Sequence, residues 1–334
     1  MTSQPRVTPT AAAGLREIQD PVKGALAHVS DEMWRIVSIA DDVFSGVSQH
    51  LMLMKGKMLR PTLLLLAGES DGAMEPRATA YAAVLELIHL ATLVHDDAVD
   101  HSVLRRGMPT INALFTHQVS VIAGDFLYSR AVQELVRLGD MEPLRVFAKA
   151  SNELTLGEMR QLSALDALAF SEDDYEFLIR AKTSALFAAA CEVGALCGAA
   201  AYREPLRLYG ERLGMAFQVA DDLLDYTASE AMTGKPTGLD LREHKVTLPL
   251  IYALRALTPV RRAAVDELFR TAEPSDEQIA RVFEIVEDSG GLMYARRRGE
   301  EFAAQAENAI AILPDSPARN ALFDAVAYVM SRRS

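Results

Sequence analysis

Two aspartate clusters of one form, Asp96-Asp97-Ala98-Val99-Asp100 and Asp221-Asp222-Leu223-Leu224-Asp225, stand far apart in the chain. A carboxylate on a core-facing helical position is costly unless something pairs it, and six of them call for a strong counter-charge. Positions i and i+4 share a helix face, so Asp96 with Asp100, and Asp221 with Asp225, can each reach one ion. All-oxygen donors suit Mg²⁺, which takes one or two carboxylates and completes its shell with water and substrate phosphates. The chemistry expected is a pair of facing Mg²⁺ clamps around a phosphorylated substrate. Leu93, Val94, Ala98, Val99, Leu223 and Leu224 surround the acids, unlike the neighbours of an ordinary charged surface stripe.

Each cluster is followed by a polar loop with glycine and basic residues, HSVLRRGMPT after the first and TASEAMTGKPTGLDLREHK after the second. These cations are local, as the holding of a small anion requires. Lys182 lies in an apolar stretch at 181–186, where a lone ammonium calls for an anion. His95, His101 and His117 read as structural or solvated, and nothing points to a histidine-based metal site.

The elements that must carry these groups are helices. Apolar residues recur at i, i+3, i+4 and i+7 throughout. The pattern predicts helices near 11–29, 31–50, 60–70, 76–100, 110–115, 118–138, 142–167, 172–200, 205–228, 246–256, 259–270, 275–288, 290–312 and 316–332. Breakers such as Ser70-Asp71-Gly72, Arg106-Gly107-Met108-Pro109 and Glu273-Pro274 fall between them. No alternating strand pattern of useful length appears, so the fold class is all-α, with both clusters near the ends of long helices. No linker divides the 334 residues. We expect a flexible N-terminal arm over 1–13 and a single catalytic domain over 14–334.

A net charge of −12 argues against a nucleic-acid partner. The longest uninterrupted apolar runs, such as 62–67, fall short of the roughly 20 residues of a membrane span. The first residues carry neither a signal-peptide core nor an Arg-rich transit pattern. Cys191 and Cys197 read as buried inert thiols, which fits a reducing cytoplasm.

In order along the chain, Gly56-Lys57-Met58-Leu59-Arg60-Pro61, LELIHLATLVHDDAVDHSVLRRGMPT (85–110), Gly124-Asp125-Phe126, Lys182-Thr183, Phe217-Gln218-Val219-Ala220 leading into DDLLD, and GKPTGLDLREHKVTLPLIYAL (234–254) resemble the trans-isoprenyl diphosphate synthases, or polyprenyl synthetases. The resemblance runs from about residue 20 to the end. It implies a helical bundle of isoprenoid-synthase type around a central active-site cavity, normally a homodimer. It also implies Mg²⁺-dependent head-to-tail condensation of an allylic diphosphate with isopentenyl diphosphate. Asp96, Asp100 and Asp221 would hold Mg²⁺ against the allylic diphosphate, with Asp97, Asp222 and Asp225 completing or supporting those shells. Arg105, Lys182, Thr183, Gln218, Lys235 and Lys245 would contact the allylic diphosphate. Lys57, Arg60, His89 and Arg106 would bind isopentenyl diphosphate without metal. Alone, Lys57 and Arg60 read as solvated residues at a helix start and His89 as a core histidine. His89 nonetheless lies two turns before Asp96 on roughly the same face. The chain departs from the family pattern at Met58, where an arginine is usual, while Lys55 adds a cation nearby.

By the same resemblance, Ala91 and Thr92, one turn before Asp96, set how deep the growing chain reaches. Short-chain relatives carry bulky aromatics there, and small residues leave a channel open. The IHLATLVHDD string is most similar to octaprenyl and heptaprenyl synthases, which implies an all-trans product of about C30 to C50. The facing floor is expected near Phe126 and Leu127. The alternatives are a shorter-chain farnesyl or geranylgeranyl synthase and a subunit of a heterodimeric synthase. A class I terpene cyclase is disfavoured because DDLLD repeats the first cluster. Release of an apolar product through transient membrane contact is a further expectation.

Overall fold

The computed structural model describes residues 13–38, 42–53, 56–105, 107–163, 167–227 and 238–331. Of the expected features, the arm up to residue 12, Lys55, Arg106 and Lys235 lie outside the described residues.

The chain begins with α1 (Leu15–Gln19), α2 (Lys23–Val37) and α3 (Asp42–Leu53). The first break falls at a 3₁₀ turn, Asp20–Val22, rather than near residue 30, because Pro21 has no N–H for a continuing helix. After these come α4 (Leu59–Glu69) and α5 (Ala78–Val99), then a minimal antiparallel hairpin of β1 (Leu104–Arg105) and β2 (Met108–Pro109). The hairpin was not expected from sequence. It is followed by α6 (Ile111–Leu114), α7 (His117–Leu138), α8 (Met141–Ser163) and α9 (Glu172–Ile179). A π turn, Arg180–Ser184, separates α9 from α10 (Ala185–Leu196), where the sequence pattern had suggested one unbroken helix. Then come α11 (Arg203–Thr227), α12 (Leu239–Arg242), α13 (Leu248–Leu254), α14 (Pro259–Arg270), α15 (Asp276–Asp288), α16 (Gly291–Ile310) and α17 (Pro317–Ser331).

The fold is an all-α bundle. α5 is apolar on nearly every face and is buried against α2, α4 and α7. Among the described residues it alone is long and apolar enough to cross a membrane, and 72% of its apolar window is buried inside the protein. α10 is packed between α4 and α11, and α11 in turn lies along α16. The α10–α11 contact depends on Gly210, where a Cβ would stand 2.3 Å from the Phe187 carbonyl oxygen. That close approach sets the π turn of one helix beside the second aspartate cluster of the other.

Candidate active site

Both clusters occupy the last turns of long helices, as expected. α5 closes with Asp96 and Asp97 and is capped by Asp100, whose backbone N–H donates to the Asp96 carbonyl at 2.8 Å. α11 closes with Asp221, Asp222 and Asp225. The outer members are less buried than the middle ones, with Asp96 and Asp225 half-buried. Asp100 and Asp221 are exposed, while Asp97 and Asp222 are buried. Asp97 accepts Arg105 Nε at 2.7 and 2.9 Å on its two oxygens, with the Arg105 Nη2 group at 2.7 Å, a fork-on-carboxylate arrangement. The hairpin that carries Arg105 is braced by His50 Nε2, 2.7 Å from the Pro109 carbonyl oxygen. Asp222 accepts Tyr175 Oη at 2.6 Å and Gln218 Nε2 at 2.7 Å. Asp225 accepts the backbone N–H groups of Leu239 and Asp240, both at 3.0 Å, and so ties α11 to the start of α12.

Among the described residues, three cavities adjoin these groups. The first, of about 580 Å³, is lined by Asp100, Lys182, Thr183, Gln218, Asp222, Asp240 and Lys245, with Tyr175 and Phe170 on its wall. It is the carboxylate chamber. Burial, then the neighbouring Asp225 charge, pushes the Asp240 carboxyl up to about 7. Burial also drives Asp222 well above the usual carboxylate range and raises Asp225, against the two N–H groups that it accepts. The Lys245 ammonium is held above its ordinary value, burial opposing and Glu243, Asp240 and Asp100 favouring its charge. Asp100 and Lys245 both line the chamber.

The second cavity, of about 540 Å³, runs between α5, α7 and α8. Its mouth holds Asp96, Glu158 and Lys182, and Thr92, Ala91 and Ile88 follow down the α5 wall. Tyr128, Met159 and Leu162 line it from α7 and α8, whereas Phe126 and Leu127 do not. Burial and then the Glu158 charge push the Asp96 carboxyl up to about 6, with Lys182 acting the other way. His95 also lines this cavity, its Nε2 3.3 Å from Asp125 Oδ1. α7 approaches so closely that a Cβ at Gly124 would meet His95 Nε2 at 2.3 Å.

The third cavity, of about 440 Å³, gathers Lys57, Met58, Arg60, Glu86, His89, Phe217 and Tyr328. Arg60 Nη1 lies 3.0 Å from His89 Nε2, and its guanidinium sits 4.9 Å from the Phe187 ring centroid. The loop before α4 is stapled by Gln19 Nε2, which donates to the Lys57 carbonyl and Thr62 Oγ1 at 3.1 and 3.2 Å. Met58 adopts a left-handed conformation, φ 54°, at the start of α4.

The expected cation–carboxylate set is thus brought into two separate places. Lys57, Arg60 and His89 share one cavity; Lys182, Thr183, Gln218 and Lys245 share another with Asp100 and with Asp222 of the second cluster, whereas Asp221 and Asp225 do not line it. Asp240, Glu158, Gln161 and Tyr175 were missed from sequence. Glu158 and Gln161, i and i+3 on α8, reach Lys182 Nζ at 2.5 and 2.9 Å. Among the described residues no three His, Cys, Asp or Glu side chains converge closely enough to hold an ion unaided. A half-buried, under-compensated Asp96 beside exposed Asp100 nevertheless fits a hard cation that draws its remaining ligands from water and phosphate oxygens.

Residues 41–286 match the polyprenyl synthetase family. The chain is 42% identical over 319 residues, 95% of its length and 98% of the relative's, to the all-trans-nonaprenyl-diphosphate synthase (geranyl-diphosphate specific) of Rhodobacter capsulatus. It is 40% identical to the octaprenyl diphosphate synthase of Escherichia coli (strain K12), covering 92% of this chain and 96% of that one. The fold superposes with a TM-score of 0.91 on a polyprenyl synthase from Caulobacter crescentus CB15 complexed with calcium and isoprenyl diphosphate. That structure is 34% identical, with 98% of this chain and 100% of the other covered.

Proposed function

Because the chain belongs to the polyprenyl synthetase family, and is therefore a prenyltransferase, we propose that it extends an allylic diphosphate with isopentenyl diphosphate to an all-trans product of about C30 to C50. One observation carries the reading: the carboxylate chamber and the α5–α8 cavity meet at Lys182, with Asp100 lining the first and Asp96 the second. A diphosphate head and a prenyl tail need two such environments joined at one point.

Asp96, Asp100 and Asp221 would hold Mg²⁺, supported by Asp97, Asp222 and Asp225, and the bound ion would neutralise charge on the leaving diphosphate. Lys182, Thr183, Gln218, Lys245 and Arg105 orient the allylic diphosphate and stabilise its departure. Lys57, Arg60 and His89 hold isopentenyl diphosphate so that its double bond meets the allylic carbon, and a proton is then lost. Arg106 and Lys235 join these two groups by their places in the sequence motifs. Ala91, Thr92 and Ile88 line the path of the tail and exclude water from it. The working form on this reading is a cytoplasmic homodimer, with transient membrane contact for product release.

The test is incorporation of isopentenyl diphosphate by the purified chain with Mg²⁺ and farnesyl diphosphate, followed by chromatography of the dephosphorylated products. Products in the C30 to C50 range are expected. No incorporation without a second protein would overturn the self-sufficient enzyme, and products ending at C20 would overturn the chain length.

A further inference from the structure

Tyr175 belongs to none of the motifs that mark the substrate sites, yet its hydroxyl is aimed at one of them. The side chain is 2% exposed, and Oη donates to Asp222 Oδ2 at 2.6 Å. Asp222, 5% exposed, accepts Gln218 Nε2 on its other oxygen at 2.7 Å. The far end of the same amide, Gln218 Oε1, accepts Thr183 Oγ1 at 2.7 Å. All four residues line the carboxylate chamber.

The order of donors and acceptors fixes an orientation. Asp222 takes a donor on each oxygen, Tyr175 Oη on one and Gln218 Nε2 on the other, so Gln218 turns its nitrogen to Asp222 and its oxygen to Thr183. One amide N–H is then left to donate into the chamber. A diphosphate is itself an acceptor, and a reversed amide would present it with an oxygen. The Gln218 amide is therefore set from behind by Asp222, and Asp222 is held by Tyr175. Tyr175 has an anchored platform of its own. α9 starts at a Ser171–Asp174 capping box, and Glu172 accepts Tyr294 Oη at 2.8 Å and pairs with Arg255.

We infer that Tyr175 is a positioning residue for the allylic diphosphate, acting through Asp222 to keep an N–H of Gln218 turned toward the chamber. The inference rests on the function proposed above. It assigns Tyr175 a role in orienting substrate, although the residue need not touch it.

The test is the KM for each substrate in the full-length wild type, Y175F, Q218A and Y175F/Q218A. Loss of the orienting hydrogen bond should raise the allylic KM about tenfold in Y175F. The isopentenyl KM, set in a separate cavity, and the product length should stay put. In the Q218A background Y175F should add nothing, which a merely structural tyrosine would not satisfy. Tyr175→Met supplies a second arm if Y175F does not fold, since a flexible thioether can fill the space while the hydroxyl is removed and Asp222 and Gln218 stay in place. It should give the same allylic-only rise. An active wild type whose allylic KM is unmoved by both variants overturns the inference alone. So do equal rises in both KM values, or additive effects with Q218A. A wild type that incorporates no isopentenyl diphosphate overturns the functional reading first and this inference with it.

Discussion

Lys182 Nζ lies 2.5 Å from Glu158 Oε1, so a lysine of the π turn is tied to α8 where the two cavities join. Gln161, one turn further along α8, takes the same ammonium at 2.9 Å. Glu158 also presses on Asp96, whose carboxyl is raised first by burial and next by that charge. One acidic residue thus holds the Lys182 ammonium and adds to the effect of burial on the Asp96 carboxyl.

Replacing Glu158 by Gln keeps its shape and removes its charge. Asp96 must be ionised to hold a cation, so wild-type kcat/KM at subsaturating Mg²⁺ should fall as pH drops through about 6. In E158Q the acid limb should move to lower pH, because the charge that favoured protonation is gone. An acid limb that stays in place would show that another group titrates there.

The same carboxyl costs stability. Its folded value of about 6 lies above the ordinary carboxylate value, so the folded state keeps the proton longer than the unfolded chain. The associated stability is present at low pH and lost as pH rises through about 6. Asp96→Asn should therefore stabilise the fold at neutral pH by on the order of 2–3 kcal/mol, and by nothing near pH 3, while abolishing incorporation. Urea unfolding at the two pH values checks the sign.

Product length should respond to depth along α5. Ala91→Phe fills the cavity about one turn below Asp96, and Ile88→Phe about two turns below. An isoprene unit and a helical turn are both on the order of 5 Å. A91F should therefore give the shorter product, with I88F intermediate between it and wild type, as read by chromatography of the dephosphorylated alcohols.

Met58 offers a gain rather than a loss. It lines the cavity that holds Lys57, Arg60 and His89. Met58→Arg adds a guanidinium there without changing the left-handed backbone demand, since neither residue favours it. The isopentenyl KM should fall about tenfold, the effect of one added charge-assisted contact. The allylic KM should not move.

The long helices and both clusters could be read from sequence because a 3.6-residue apolar period is a strong local signal. Lys57, Arg60 and His89 were legible through their motifs, and they do share a cavity. What escaped was decided by tertiary contact. Glu158 is an ordinary acid on a polar helix until α8 is laid beside the π turn, and Asp240 holds its proton more tightly only because it is buried beside Asp225. The π turn itself is a single extra residue within a run whose period is averaged over a dozen, so 172–200 read as one helix. The two-residue strands of the hairpin are too short for alternation to register.

That extra residue has a mechanical consequence. α9 is seated by Glu172 on Arg255, which caps α13, and on Tyr294 of α16, and α10 is wedged between α4 and α11. Each half answers to its own neighbours, and the two are out of angular step. The misfit is taken up over five residues, two of which are Lys182 and Thr183. The segment works like a vernier between two fixed scales. Its setting places the Lys182 ammonium and the Thr183 hydroxyl together on the chamber wall.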